Sequence, residues 1–163
     1  MAQKHRTEHS SNRAKHRPSM VRKGGVSAER LARAEGVIKK MTANYLEWVE
    51  NDLNTLERAV AGLKLGNENA MDIIDEIYRC SHDVKGQGGS FGFHLMTEIG
   101  ALVCRYIEPL DRVTDDDVKI LDLCVKAMRQ VIDGRLSGDG GSEGRRIMDD
   151  LAPVVKKAKP IRA

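Results

Sequence analysis

The chain has 163 residues, the size of one modest domain, with 4% aromatic and 31% charged residues and a formal charge of +3. Few aromatics and no runs rich in Val, Ile, Tyr and Phe exclude a sandwich, a barrel or a parallel sheet, and leave helices. No stretch approaches the roughly 20 apolar residues that cross a bilayer, and no apolar signal-peptide core follows the start, so a soluble cytoplasmic protein is expected.

The charge is unevenly spread. Residues 1–35 carry nine Lys/Arg against three Glu, and the remainder is net acidic. Residues 1–26 place Lys4, Arg6, Arg13, Lys15, Arg17, Arg22 and Lys23 among Ser, Asn and Gly, with almost nothing to bury, so a flexible basic tail is expected there. It has no aromatic to stack on a base and no amphipathic stripe, which argues against nucleic acid and membrane as partners. From Ser27 a helical period begins, and residues 27–163 read as one helical domain. Residues 27–41 predict a short extra helix with Ser27 as N-cap. Leu46, Val49, Leu53, Leu56, Val60 and Leu63 alternate spacings of three and four, an apolar seam along a second helix that Gly66 and Asn67 stop.

A third helix starts near Ala70 with Ile74, Ile77, Ser81, Val84, Gly88 and Phe91 on one face. A fourth opens near Phe93, carries Leu95, Ile99, Leu102 and Tyr106, and ends at Pro109. The fifth is capped by Thr114 ahead of Asp115, Asp116 and Asp117, with Val118, Leu121, Val125, Met128 and Ile132 as its seam. After a Gly-rich loop, a last helix presents Ile147, Leu151 and Val154, bent or shortened by Pro153. Single-striped helices joined by short loops bury their stripes against one another. The expected fold is all-α, an antiparallel up-and-down four-helix bundle with an extra N-terminal helix and a disordered basic tail. Cys80, Cys104 and Cys124 are an odd number without metal spacing and read as packing residues. The three Asp read as a helix start rather than a metal site.

The third helix breaks the rules of helix composition around a histidine. Residues 80–94 read Cys-Ser-His-Asp-Val-Lys-Gly-Gln-Gly-Gly-Ser-Phe-Gly-Phe-His. If helical, Gly86, Gly88 and Gly89 together cost about 3 kcal/mol relative to Ala. At about 100° per residue, His82 points some 130° away from the apolar stripe. Gly86 and Gly89 share its face, and Lys85 flanks it. An imidazole surrounded by bare backbone is open to a second protein. Neutral imidazole is a nucleophile near pH 7 and can carry a phosphoryl group, with the Lys85 ammonium one turn away to balance the anion. No Walker sequence and no carboxylate cluster for Mg²⁺ accompanies it, so the chain is expected to carry phosphate without driving its transfer, and to be no enzyme by itself. His94, near the next helix start, reads as a helix-terminal polar residue.

The run His82-Asp83-Val84-Lys85-Gly86, with Gly92 ten residues after the histidine and Ile73-Ile74-Asp75-Glu76-Ile77-Tyr78-Arg79 before it, resembles the signature of histidine-containing phosphotransfer (Hpt) domains over about residues 42–134. The bundle that bears the motif would span about 42–158. The resemblance implies a two-component phosphorelay in which His82 is phosphorylated, on Nε2, by a receiver aspartyl-phosphate or a histidine kinase and passes the group to a response-regulator receiver Asp. It assigns phosphate stabilisation to Lys85 and the small residue beneath the docking receiver to Gly86. Mg²⁺ would belong to the receiver, leaving this chain without a cofactor, metal or small-molecule substrate. Gly89 is expected to keep the approach open, and Asp75, Tyr78, Arg79 and Gln87 to contact the receiver. Asp83 departs from the family pattern, where a hydroxyl residue is common. An exposed docking face fits a monomer. The rival reading is a helical module that docks a receiver or other partner without chemistry, or holds nucleic acid through its tail.

Overall fold

A computed structural model describes residues 27–64 and 69–158. The expected tail over 1–26 and the helix stop at Gly66 and Asn67 lie outside the described residues. Among the described residues there are six α-helices and no strand: α1 (Ala28–Lys64), α2 (Ala70–Gly88), α3 (His94–Ile107), α4 (Asp115–Asp133), α5 (Gly141–Asp150) and α6 (Ala152–Lys157). A 3₁₀ turn, Gly89–Phe91, joins α2 towards α3.

Helices α1 to α4 form the all-α bundle expected from the seams, each packed on its two neighbours: α1 on α2 and α4, α3 on α2 and α4. Cross-helix contacts give the directions. Cys80 Sγ donates to the Asp52 carbonyl, while Phe91 stacks on Tyr45, so α2 runs against α1. Thr97 accepts from the Gly89 amide and Cys104 donates to the Tyr78 carbonyl, so α3 runs against α2. Lys64 pairs with Asp122, and Arg129 reaches back to Glu50 at 2.5 Å and Glu57 at 2.8 Å, so α4 runs against α1.

The core follows the predicted stripes closely. Val49, Leu53, Leu56, Val60 and Leu63 from α1 meet Ile74, Ile77 and Val84 from α2. Leu95, Ile99, Leu102 and Tyr106 from α3 and Leu121, Val125, Met128 and Ile132 from α4 complete it. Each fully buried Leu or Ile contributes about 1.5–3 kcal/mol relative to exposure. Cys104 and Cys124 are buried and Cys80 is half-buried, all three as free thiols. Burial pushes the Cys124 thiol up to about 12. Thr114 caps α4 through a reciprocal box with Asp117, whose carboxylate also accepts from the Tyr106 hydroxyl at 2.5 Å. Burial opposes ionisation of Asp117, but the bonds from Thr114 and Tyr106 outweigh it and hold the carboxyl below its usual value. Of the three Asp at the helix start, this one is therefore a structural ligand of the backbone. Pro153 falls in the first turn of α6, where its missing N–H costs nothing, and α5 ends just before it.

One boundary differs. The short helix expected over 27–41 is continuous with the next, and α1 runs 37 residues without a break. Met41-Thr42-Ala43-Asn44 contains no breaker, and Thr42 Oγ1 bonds the Ile38 carbonyl at 3.0 Å within the helix. The lone Gly36 weakens the helix by about 1 kcal/mol without ending it. Ser27 does cap the start, accepting from the Arg30 amide at 3.3 Å.

The tightest contact joins α2 to α3. A Cβ on Gly100 would lie 2.8 Å from the Ser81 carbonyl oxygen and 3.0 Å from the Lys85 nitrogen. A Cβ on Gly88 would lie 2.9 Å from the Phe93 carbonyl oxygen. Neither position has room for a methyl group. Gly100→Ala is expected to lower stability by about 1–3 kcal/mol, read as a lower denaturant midpoint; an unchanged midpoint would mean that the helices separate there at no cost.

Candidate functional site

Helix α2 is amphipathic, and its buried line of Ile74, Ile77, Ser81, Val84 and Gly88 determines what faces water. His82, next to buried Ser81, is exposed. The Tyr78 ring, one turn before, lies 6.4 Å from the imidazole with 25° between planes. Tyr78, Arg79, His82 and Asp83 together line a shallow open depression of about 340 Å³.

The other candidates distribute around this depression. Gly86 is exposed, with nothing within 4 Å of where its Cβ would be. Bare backbone therefore lies one turn beyond His82. Gly89 is half-buried, and a Cβ there would meet Thr97 Oγ1 at 3.4 Å and His94 Nδ1 at 3.6 Å. Asp75 and Arg79 are exposed, while Tyr78, Lys85 and Gln87 are half-buried. Asp75 lies two turns before His82 on the same side. Gln87 lies about 140° round the helix from it, away from the depression. His94 is exposed as the first residue of α3.

The glycines cost the helix less than their number suggests. Gly86 alone is well inside α2, because Gly88 is its last residue and Gly89 opens the 3₁₀ turn. The chain then turns at Gly92 with φ +84°, a left-handed conformation that glycine adopts without strain. Gly88 holds the α2–α3 approach, which is a packing reason for its presence on the buried line.

The electrostatics around His82 are two-sided. On the side of α3, burial raises the Cys104 thiol above its usual value, and the Lys85 ammonium is the largest charge that opposes the rise. Towards α1 lie carboxylates. Burial pushes the Cys80 thiol up to about 12, helped by the negative charges of Asp52, Asp83 and Glu76. Burial also raises the Asp52 carboxyl above its usual value, and the charge of Asp83 raises it further. The imidazole thus has the Lys85 ammonium on one flank and the carboxylates of Asp83 and Asp52 on the other.

Asp52, Glu76 and Asp83 were not among the site candidates read from the sequence. Asp83 is next to His82 and lines the same depression. For Asp52 a signal existed, since it stands three residues after Val49 and four before Leu56, a carboxylate at a seam position. Nothing in the chain order ties Asp52 to Asp83; only the packing of α1 on α2 does. Among the described residues, no group of three or more His, Cys, Asp or Glu side chains is placed to hold a metal ion, and no helix is long and apolar enough to cross a membrane.

A family model described as Hpt domain matches residues 40–134, which includes all of α2, α3 and α4. No curated protein and no solved structure matches the chain.

The Asp52–Asp83 repulsion has a readable consequence. Because the folded-state value of Asp52 is raised, protonating it stabilises the fold. That contribution is complete below the ordinary value of 3.8 and is lost as pH rises through the raised one. Asp83→Asn is expected to bring the Asp52 titration down towards 3.8, followed by NMR of the side-chain carboxyl carbons. A titration that does not move would show that the two carboxylates do not sense each other.

Proposed function

The chain belongs to the Hpt domain family, and on that premise we propose that it is a histidine phosphotransfer protein of a two-component phosphorelay, with His82 as the residue that carries the phosphoryl group. The observation that carries this reading is an exposed imidazole in the middle of a rigid helix, with open space at Gly86 one turn on and the Lys85 ammonium on its flank.

The step needs little from this chain. The lone pair of neutral His82 Nε2 attacks the phosphorus of a receiver aspartyl-phosphate, or of a phosphohistidine on a kinase. The N–P bond forms as the donor's bond to phosphorus breaks, and from an acyl phosphate that electron pair leaves as the Asp carboxylate. Nδ1 keeps its proton. Return to a second receiver's Asp is the same displacement in reverse. Mg²⁺ and the acidic pocket that binds it belong to the receiver, so the chain is a phosphocarrier and not an enzyme. Lys85 stabilises the new anion on the cationic side, and the carboxylates of Asp83 and Asp52 repel it from the other, which biases the phosphoryl group towards α3.

Gly86 leaves the backbone bare for a docking receiver, with Asp75, Tyr78 and Arg79 as its contacts. Tyr78 packs on the imidazole and restrains its swing. Gln87 is a contact only for a receiver broad enough to reach round α2. Gly89 acts through the α2–α3 junction, since its amide is bonded to Thr97 at 2.8 Å. In this reading the bundle over about 42–158 performs the transfer in the cytoplasm, and residues 1–26 form an appended basic tail.

The test is site mapping after reaction of the pure protein with phosphoramidate at neutral pH, a small donor that needs no partner. A single phosphohistidine at residue 82, absent in His82→Gln, is expected. Lys85→Ala is expected to slow labelling about fivefold, the loss of about 1 kcal/mol from a partly screened ion pair. Gly86→Arg should label normally with phosphoramidate and fail with a receiver aspartyl-phosphate. Labelling of His82 no faster than of His5, His9 or His16 would remove the chemistry and leave a docking module.

A further inference from the structure

The apolar seam of α1 does not stop where the bundle stops. Leu31, Ala34, Ile38 and Met41 continue the line of Tyr45, Val49, Leu53 and Leu56 at the same three-and-four spacing. From Tyr45 onwards the seam is buried. Before it, Leu31, Val37, Ile38 and Met41 are each more than half exposed, as is Trp48 at 53%. Exposed apolar side chains lined up in this way mark an interaction surface rather than scattered surface residues. Residues 28–44 make about 25 Å of helix projecting past the bundle.

We propose that this strip pairs with the same strip of a second copy, two α1 extensions lying antiparallel about a two-fold axis level with Gly36. The spacing of Leu31, Ala34, Ile38 and Met41 is three, four and three, so it superimposes on itself when the direction is reversed. That register opposes Leu31 to Met41 and Ala34 to Ile38, a large side chain against a large one at the ends and a small one against a large one near the axis, as facing helices require. Glu35 and Lys39 lie on one edge of the strip. Glu35 and Val37 each stand one residue from the axis, so the register puts each beside its own counterpart, with Lys39 of the other chain as near to Glu35 along the axis to offset the like charges.

A second observation, independent of the spacing, falls where this register needs it. Ile38, Met41, Thr42, Ser90, Phe91 and Gly92 line an open groove of about 380 Å³ at the foot of the extension. Its floor is rigid, because Phe91 stacks on buried Tyr45 at 4.7 Å and meets the Trp48 edge at 6.5 Å. Leu31 of the second copy, set opposite Met41, arrives at this groove. Two other occupants fit less well. Residues 1–26 offer few apolar side chains, and a membrane would meet the Glu35 carboxylate at the strip's edge.

Pairing leaves the phosphotransfer face free. Cys80 faces α1 through its bond to Asp52, and His82, two positions on, points nearly the opposite way. The pairing and the His82 chemistry can therefore fail separately. The proposal departs from the monomer expected from the docking face alone.

Sedimentation of the full chain over a wide concentration series is the test. The expected mass is twice 18.1 kDa. Ile38→Asp is expected to return it to one chain with helicity and phosphoramidate labelling unchanged, since the residue is exposed in the single protomer. Leu31→Cys and Met41→Cys, mixed under mild oxidation, are expected to cross-link to each other and neither to itself. A single-chain mass at every concentration overturns the proposal. So does cross-linking of either variant alone, which would mean a parallel pair. A single chain that floats with vesicles of equal phosphatidylglycerol and phosphatidylcholine would assign the strip to a membrane. A single chain whose Trp48 emission shifts on deleting residues 1–26 would assign it to the tail.

Discussion

The α2–α3 junction is the constraint on which the rest of the molecule depends. At Gly88 and Gly100 the two helices approach until a methyl group on either would overlap backbone atoms of the other. Contacts that close leave α2 little freedom to rotate about its own axis or slide along it. The bond from the Gly89 amide to Thr97 and that from Cys104 to the Tyr78 carbonyl mark the same register along the pair. Once Ser81 and Gly88 face inwards, His82 must face outwards, because neighbouring residues on a helix are about 100° apart. His82 is thus held in place by packing on the opposite side of α2. A site on a helix buried over much of its length is also more rigid than a site on a loop.

That arrangement separates stability from chemistry. The core contribution comes from the inner faces of α1 to α4, and the outer face of α2 is free to be polar, glycine-containing and two-sided in charge. Gly86 alone weakens the helix interior, and it leaves open space one turn from His82. The charges differ on its two flanks: α2 itself contributes Lys85 on the side of α3, and α1 contributes Asp52 opposite Asp83. An anion on His82 would therefore meet attraction from Lys85 of its own helix and repulsion from the Asp83 and Asp52 side. Asp83, which departs from the family's usual hydroxyl, is the residue that couples the site to α1.

Helix α1 serves two environments with one pattern. Over Tyr45–Leu63 its seam closes the bundle, while Arg129 from α4 ties its outer side through Glu50, Asn54 and Glu57. Over Leu31–Met41 the same periodicity continues, and its side chains are exposed among the described residues. Hydrophobic burial is non-directional, so a seam of this kind gains by covering whatever apolar surface fits its spacing. The groove beside Phe91 lies at the transition between the two regimes.

The all-α bundle, its stripes, the Thr114 cap, the Ser27 cap and the outward face of His82 were legible in the sequence, because each depends on residues within one or two turns of each other. Periodicity and capping are local, and local geometry is the same in every helix. The junction at Gly100, the facing of Asp52 and Asp83, and the open seam before Tyr45 were not legible, since each depends on which helix lies beside which. The short helix expected over 27–41 proved continuous with the next, because Leu31, Ala34, Ile38 and Met41 run into Tyr45 at helical spacing and nothing between them ends a helix. Residue identity alone placed an imidazole, an ammonium and a bare glycine within one turn of α2. Tertiary packing decided how that chemistry is presented, because only the contact between helices sets rotation, neighbours and charge around the imidazole.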